Sequence, residues 1–84
     1  MKVTVKYFSW IRVKIQKSHD LIEFPDNITF SKIKNELVKK DSFYDEIFKD
    51  SSVKYFLNLY EITNENILIN DGDEIAFLPP VTGG

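Results

Sequence analysis

Eighty-four residues, with 11 Lys plus Arg against 13 Asp plus Glu and a formal charge of −2, allow one domain and argue against nucleic acid, which calls for a strongly basic face. The absence of cysteine excludes a disulfide framework and a thiolate metal site. Seven Phe, four Tyr and one Trp supply large buried areas instead. The first residues alternate Lys with apolar side chains and contain no apolar h-region, so no signal peptide is expected, and no run approaches the ~18 apolar residues of a membrane span. The expected location is cytoplasmic, with no membrane partner.

Residues 2–8 (KVTVKYF) alternate as a half-buried strand does, with Val3, Val5 and Tyr7 on one face and Lys2, Thr4, Lys6 and Phe8 on the other. Residues 9–19 carry mixed signals and are expected to form a loop with a helical turn. Residues 20–24 (DLIEF) read as a second strand, closed by Pro25-Asp26-Asn27. Residues 30–40 are the clearest helix: Phe30, Ile33, Leu37 and Val38 recur on one face, Thr29 is placed to cap it, and Lys39 and Lys40 suit its C-terminal dipole. Residues 43–49 predict a short second helix, with Ser42 and Asp45 at capping-box spacing. Residues 53–60 (VKYFLNLY) predict a third strand, in which Leu57 and Leu59 go inside and Phe56 outside. Residues 61–70 are irregular apart from a short edge strand near Ile67–Ile69. Asp71-Gly72 is a turn leading into a last strand, Glu74–Leu78, in which Ile75 and Phe77 face the core and Leu78 faces away. Pro79-Pro80 then ends pairing, because proline has no amide hydrogen for the ladder. The sum is a single α+β domain over residues 1–80, one mixed sheet of four to five strands on a main helix and a short second helix, followed by a tail at 81–84.

That tail is the most specific feature. Of only three glycines in the chain, two are Gly83 and Gly84. At average glycine usage of ~7%, a terminal Gly-Gly arises by chance in about 0.5% of proteins. Without a Cβ, the pair is a thin ribbon that can enter a channel closed to other residues. Pro79 and Pro80, with φ already fixed, lose little entropy on ordering, hold the tail away from the sheet and are followed by the spacers Val81 and Thr82. Such an arm presents its α-carboxylate to a deep site on another protein. Adenylation would give that carboxylate a leaving group, and a sulfur donor could then convert it to a thiocarboxylate. In a chain without cysteine, transferable sulfur would sit on this terminus.

Other signals are weaker. His19 stands alone, without cysteine nearby, and reads as a surface loop residue rather than a metal ligand. Asp71, Asp73 and Glu74 lack calcium-loop spacing and read as a solvated turn. No catalytic triad, phosphate loop or carboxylate pair can be assembled, so the chain lacks the parts of an enzyme working alone. Phe8, Phe56 and Leu78, all expected on the outer face, would form an apolar docking patch at the root of the tail.

The segment NDGDEIAFLPPVTGG, residues 70–84, resembles the C-terminal signature of the small subunits of molybdopterin synthase (MoaD), a family of ubiquitin-like sulfur carriers. KVTVKYFSWIR, residues 2–12, is similar to that family's first strand and following Arg. The resemblance implies a β-grasp fold with no bound cofactor. It implies that Gly84 is adenylated by an ATP-using enzyme of the ubiquitin-activating type, then becomes a thiocarboxylate with sulfur from a donor protein. It also implies that Pro79, Pro80, Val81 and Thr82 contact the synthase large subunit in a heterotetramer, that Arg12 pairs with an acidic group there, and that Gly83 and Gly84 reach its active site to donate sulfur to a pterin precursor. The middle of the chain, Lys- and Phe-rich, departs from the family. Three alternatives stand beside this one: a modifier conjugated to lysines through Gly84, a carrier for thiazole or tRNA thiolation, and a plain interaction module. Thiazole carriers are usually shorter and lack the double proline.

Overall fold

Alternation in the first strand sets the architecture. In the computed structural model, which describes residues 1–80, Val3, Val5 and Tyr7 of β1 (Lys2–Tyr7) are buried while Lys2, Thr4 and Lys6 are not. The elements that follow are α1 (Ser9–Ile15), β2 (His19–Glu23), β3 (Ile28–Thr29), α2 (Phe30–Lys40), α3 (Phe43–Lys49), β4 (Lys54–Leu57), β5 (Tyr60–Glu61), β6 (Leu68–Ile69) and β7 (Glu74–Leu78). Five strands form one mixed sheet in the order β2-β1-β7-β4-β5, and β3 pairs with β6 in a two-stranded ribbon. β7 is central, parallel to β1 (Tyr7 opposite Phe77) and antiparallel to β4 (Tyr55 opposite Phe77). This is the expected β-grasp roll. Val81, Thr82, Gly83 and Gly84 lie outside the described residues.

α2 covers one face of the sheet and buries Phe30, Ile33 and Leu37 completely. Full burial of such side chains is worth roughly 1.5–3 kcal/mol each. Its start is fixed by Thr29, whose Oγ1 accepts from the Lys32 amide at 3.3 Å. Phe77 is the hub of the core: its ring centroid lies 5.9 Å from Tyr7, 6.5 Å from Tyr44, 5.7 Å from Phe48 and 5.5 Å from Tyr55. Tyr7 and Tyr44 bring hydroxyls into this core, where they lie 2.6 Å apart, and Tyr7 Oη donates to Asp20 Oδ2 at 2.8 Å. A carboxylate only accepts, so the Tyr7 proton is committed to Asp20, and Tyr44 must donate to Tyr7. Burial is the main cause that pushes both phenols above their ordinary range.

Four expectations are corrected. Residues 9–15 are a true helix, in which Ile11 and Ile15 are four apart and turn inward. It is too short to show a periodic pattern, and Gln16 ends it in the left-handed region (φ 66°). The expected strand over 53–60 is instead a hairpin. Asn58 (φ 48°) and Leu59 (φ 76°) reverse the chain between the paired residues Leu57 and Tyr60, so Leu59 is 86% exposed rather than inside. Two positive φ angles are the mark of a type I′ turn, usually signalled by a glycine that is absent here. Ser42 stands at the N-cap of α3 but its side chain makes no capping bond; instead Asp41 Oδ1 accepts from the Phe43 amide at 2.9 Å. Finally, His19 opens β2 rather than lying in a loop.

Candidate functional site: the outer face of the sheet and the root of the tail

Side chains that alternate with the core row of β7 point to the opposite face, where Ala76 is buried and Leu78 half-buried. Ala76 is opposite Phe56 of β4, and Leu78 is opposite Lys54. Phe8 directly follows Tyr7, the register partner of Phe77, and is still extended (φ −131°, ψ 157°), so it lies level with Leu78. Ser9, at φ 56°, then turns the chain into α1. Phe8 is 41% exposed, and Phe56 and Leu78 are half-buried. The register thus brings Phe8, Leu78, Ala76 and Phe56 onto one patch beside the point where the chain leaves the sheet. Lys6 borders it, paired with Glu74 at 3.3 Å, and so do Lys54 and Glu61.

Beyond that strand the two prolines differ. Pro80 is exposed, but Pro79 is buried. Pro79 therefore packs into the domain as the anchor of the tail instead of standing away from it. Gly83, Gly84 and the spacers Val81 and Thr82 lie outside the described residues. Arg12, exposed on α1, is not in the apolar patch; with Thr4, Lys6, Tyr7, Phe8, Ser18 and His19 it lines an adjoining recess of about 540 Å³.

The acidic turn before β7 has a structural task. Asp71 Oδ1 accepts from the Lys2 amide at 2.6 Å, and Asp73 Oδ2 from the Asn70 amide at 2.8 Å. Asn58, which no sequence signal singles out, ties this turn to the hairpin: its Nδ2 donates to Asp73 Oδ1 and its Oδ1 accepts from the Glu74 amide, each at 2.9 Å. Gly72 sits at φ 84°, a left-handed angle that favours glycine. A further feature missed in the sequence is Lys34, whose Nζ lies 5.5 Å from the ring centroids of Phe30, Phe48 and Tyr55 and 2.7 Å from Glu65 Oε2. It clamps the 62–67 loop onto the aromatic core. Among the described residues no cluster of His, Asp or Glu could hold a metal ion, and no helix is long and apolar enough to cross a membrane.

The sequence model of the ThiS family matches residues 5–84, from β1 through the last glycine. The chain belongs to the ThiS family. Among curated ThiS-like relatives, the molybdopterin synthase sulfur carrier subunit of Drosophila melanogaster is 30% identical over 87 residues, covering 100% of this chain and 92% of the fly protein. A solved complex of subunits 1 and 2 of the molybdopterin-converting factor from Helicobacter pylori contains a chain 28% identical, with a TM-score of 0.70 and full coverage of both chains. SAMP1 from Haloferax volcanii superposes with a TM-score of 0.84 over both whole chains at 19% identity, a likeness of fold alone. The ThiS match spans every residue from Phe8 to Gly84 expected to meet a partner.

Proposed function

We propose that this chain is the sulfur-carrying small subunit of a molybdopterin synthase. The observation that carries the reading is the family match running through Gly83-Gly84, joined to a full-length relative of that name. In the mechanism, an activating enzyme transfers AMP from ATP to the Gly84 carboxylate, releasing pyrophosphate. A sulfur donor then replaces AMP, leaving a thiocarboxylate. β7 sets the geometry of delivery: Leu78, Phe8 and Phe56 dock on the large subunit, Pro79 fixes the direction of departure, and the glycines reach the pterin precursor in a narrow channel. A partner seated on the patch would bury apolar area of the kind that forms interface cores. The complex of the Helicobacter pylori relative supports a large subunit as that partner. The proposal places the chain in the cytoplasm, where ATP is supplied.

Co-expressed with its activating enzyme, part of the protein gains about 16 Da at Gly84, the exchange of one oxygen for the sulfur of a thiocarboxylate nucleophile. A gain on an internal residue sinks the mechanism. With pre-thiocarboxylated protein, Gly83→Val lowers single-turnover conversion of the precursor by about a hundredfold or more, as a misplacement of ~1 Å suffices for that. Near-normal conversion would show that the tail is not threaded into a channel. Lysine conjugation would start from the same activated carboxylate; the likeness to SAMP1 adds fold and no more to that alternative.

A further inference from the structure

The five-stranded sheet has two edges, and they are unlike. β5 at one end is two residues long, and short edge strands resist further pairing. β2 at the other end runs for five residues, His19 to Glu23, without proline, lysine or bulge to blunt it. Its one inward charge, Asp20, is already held by Tyr7 Oη and by Lys17 Nζ, each at 2.8 Å. The bonds to β1 fix which backbone groups face outward. The Tyr7 amide donates to the Ser18 carbonyl and the Phe24 amide to the Met1 carbonyl, so the even-numbered residues of β2 bond inward. The N–H and C=O groups of His19, Leu21 and Glu23 therefore point to the free edge, where no backbone group of the described residues meets them. Leu21, in the middle, is 64% exposed. An open groove lies along this edge, and its rim sets Lys14, Lys17 and Lys40 beside Asp20, Glu23 and Asp41.

We propose that β2 is a docking edge for a second copy of this chain, the two β2 strands pairing antiparallel about a two-fold axis at Leu21. The pairing does not depend on the small-subunit reading. Backbone parity and side-chain chemistry select the register. Outward groups must meet outward groups, so odd-numbered residues pair with odd. A register centred on Asp20 sets the two Asp20 carboxylates opposite each other, and like charges so placed repel. One centred on Ile22 brings Pro25, which has no amide hydrogen, opposite His19, and sets Leu21 against Glu23. Centred on Leu21, the strand complements itself: Leu21 meets Leu21, and on either side His19 meets Glu23, a ring N–H donor against a carboxylate acceptor. Each of these pairs exchanges two main-chain bonds. The mixed signs of the rim likewise suit a second copy, which brings the same mixture, rather than a peptide of one charge. Edge pairing leaves the patch of Phe8, Phe56 and Leu78 open, because β1 lies between β2 and β7. β7 is parallel to β1 and β2 antiparallel to it, so the axis sends the two β7 strands in opposite directions along one continuous sheet.

Sedimentation equilibrium of the full chain, with amide exchange followed as its concentration rises, tests the proposal. The contact is small, so a weak dimer is expected, half-formed at roughly 0.1–1 mM chain. Exchange at the His19, Leu21 and Glu23 amides slows in step with the dimer fraction, whereas at Asp20 and Ile22 it is slow at every concentration. Leu21→Lys sets two cations on the axis and lowers association by about tenfold or more. The site is exposed, and an unchanged melting curve checks that the variant folds. Glu23→Lys also weakens the dimer, and His19→Glu in the same chain restores it by reversing the pair. The alternating exchange pattern of the unaltered chain keeps the test intact should a variant unfold. A single chain at ~1 mM, or a dimer whose Leu21 and Glu23 amides stay open, overturns the inference. So does a dimer undisturbed by Leu21→Lys, which would move the contact to the patch of Phe8 and Leu78. Protection of these amides only after the large subunit is added would give the edge to that partner and overturn the assignment to a second copy.

Discussion

β7 presents apolar side chains to both of its faces, and the two faces have opposite fates. Ile75 and Phe77 are completely buried under the helices, with four aromatic rings around Phe77. Leu78, with Phe8 and Phe56 beside it, lies on the opposite face, where Phe8 is 41% exposed and Phe56 and Leu78 are half-buried. A core face is explained by stability, because covering it drives folding. The outer patch is only partly covered by folding, so the apolar area left exposed has to be explained by what later lies against it. One residue of spacing along a strand separates a stability role from a binding role.

Substitutions on the two faces should therefore fail in different ways. Phe77→Ala has the largest expected effect: a loss of about 3–5 kcal/mol from the cavity at the hub of the aromatic cluster, read by denaturant unfolding. A loss under about 1 kcal/mol would mean that the core collapses around the gap. Its neighbour Leu78→Asp, like Phe8→Asp, should leave melting nearly unchanged and weaken large-subunit binding by several kcal/mol, because the new charge would be buried at the interface. Unfolding of either aspartate variant would reverse the assignment of faces. The smallest effect concerns pH. Burial, aided by Glu65 and Asp50, pushes the Tyr55 phenol up to about 12. Since the folded state holds this proton more tightly than the unfolded one, the stability it confers is complete below about pH 10 and is lost as pH rises towards 12. Half-burial of the ring limits the loss to the order of 1–2 kcal/mol. Tyr55→Phe should flatten that part of the stability profile, and an unchanged slope would assign the alkaline loss to Tyr7 or Tyr44.

Legibility in the sequence followed the length and regularity of each element. The α2 face of Phe30, Ile33 and Leu37, its Thr29 cap and the alternation of β1 and β7 could all be read directly, and from them the layered fold. α1 could not, since two inward isoleucines do not make a period. The hairpin at Asn58-Leu59 was hidden because its backbone is held from a distance, by Asp73 and Glu74, rather than by a glycine in the turn. Of the outer face, Phe8, Phe56 and Leu78 followed from strand parity alone. The recess did not, because it needs Lys6, Arg12 and His19 from three elements, and the register that joins them is a property of the folded sheet. Burial of Pro79 likewise has no local signal.

The position of β7 also constrains how the protein is made. Synthesis proceeds from the N-terminus, yet the strand flanked by both β1 and β4 is the last one in the described chain, and its first pairing joins Thr4 to Glu74 across nearly the whole sequence. A chain still held at the ribosome short of residue 74 lacks the hub of its core, and non-local pairing of this kind is slow to close. The sheet is complete only once the segment leading to the glycines has emerged. Completion of the core and completion of the docking face are thus one event: a polypeptide cut short before β7 lacks both Phe77 and Leu78 and can present neither.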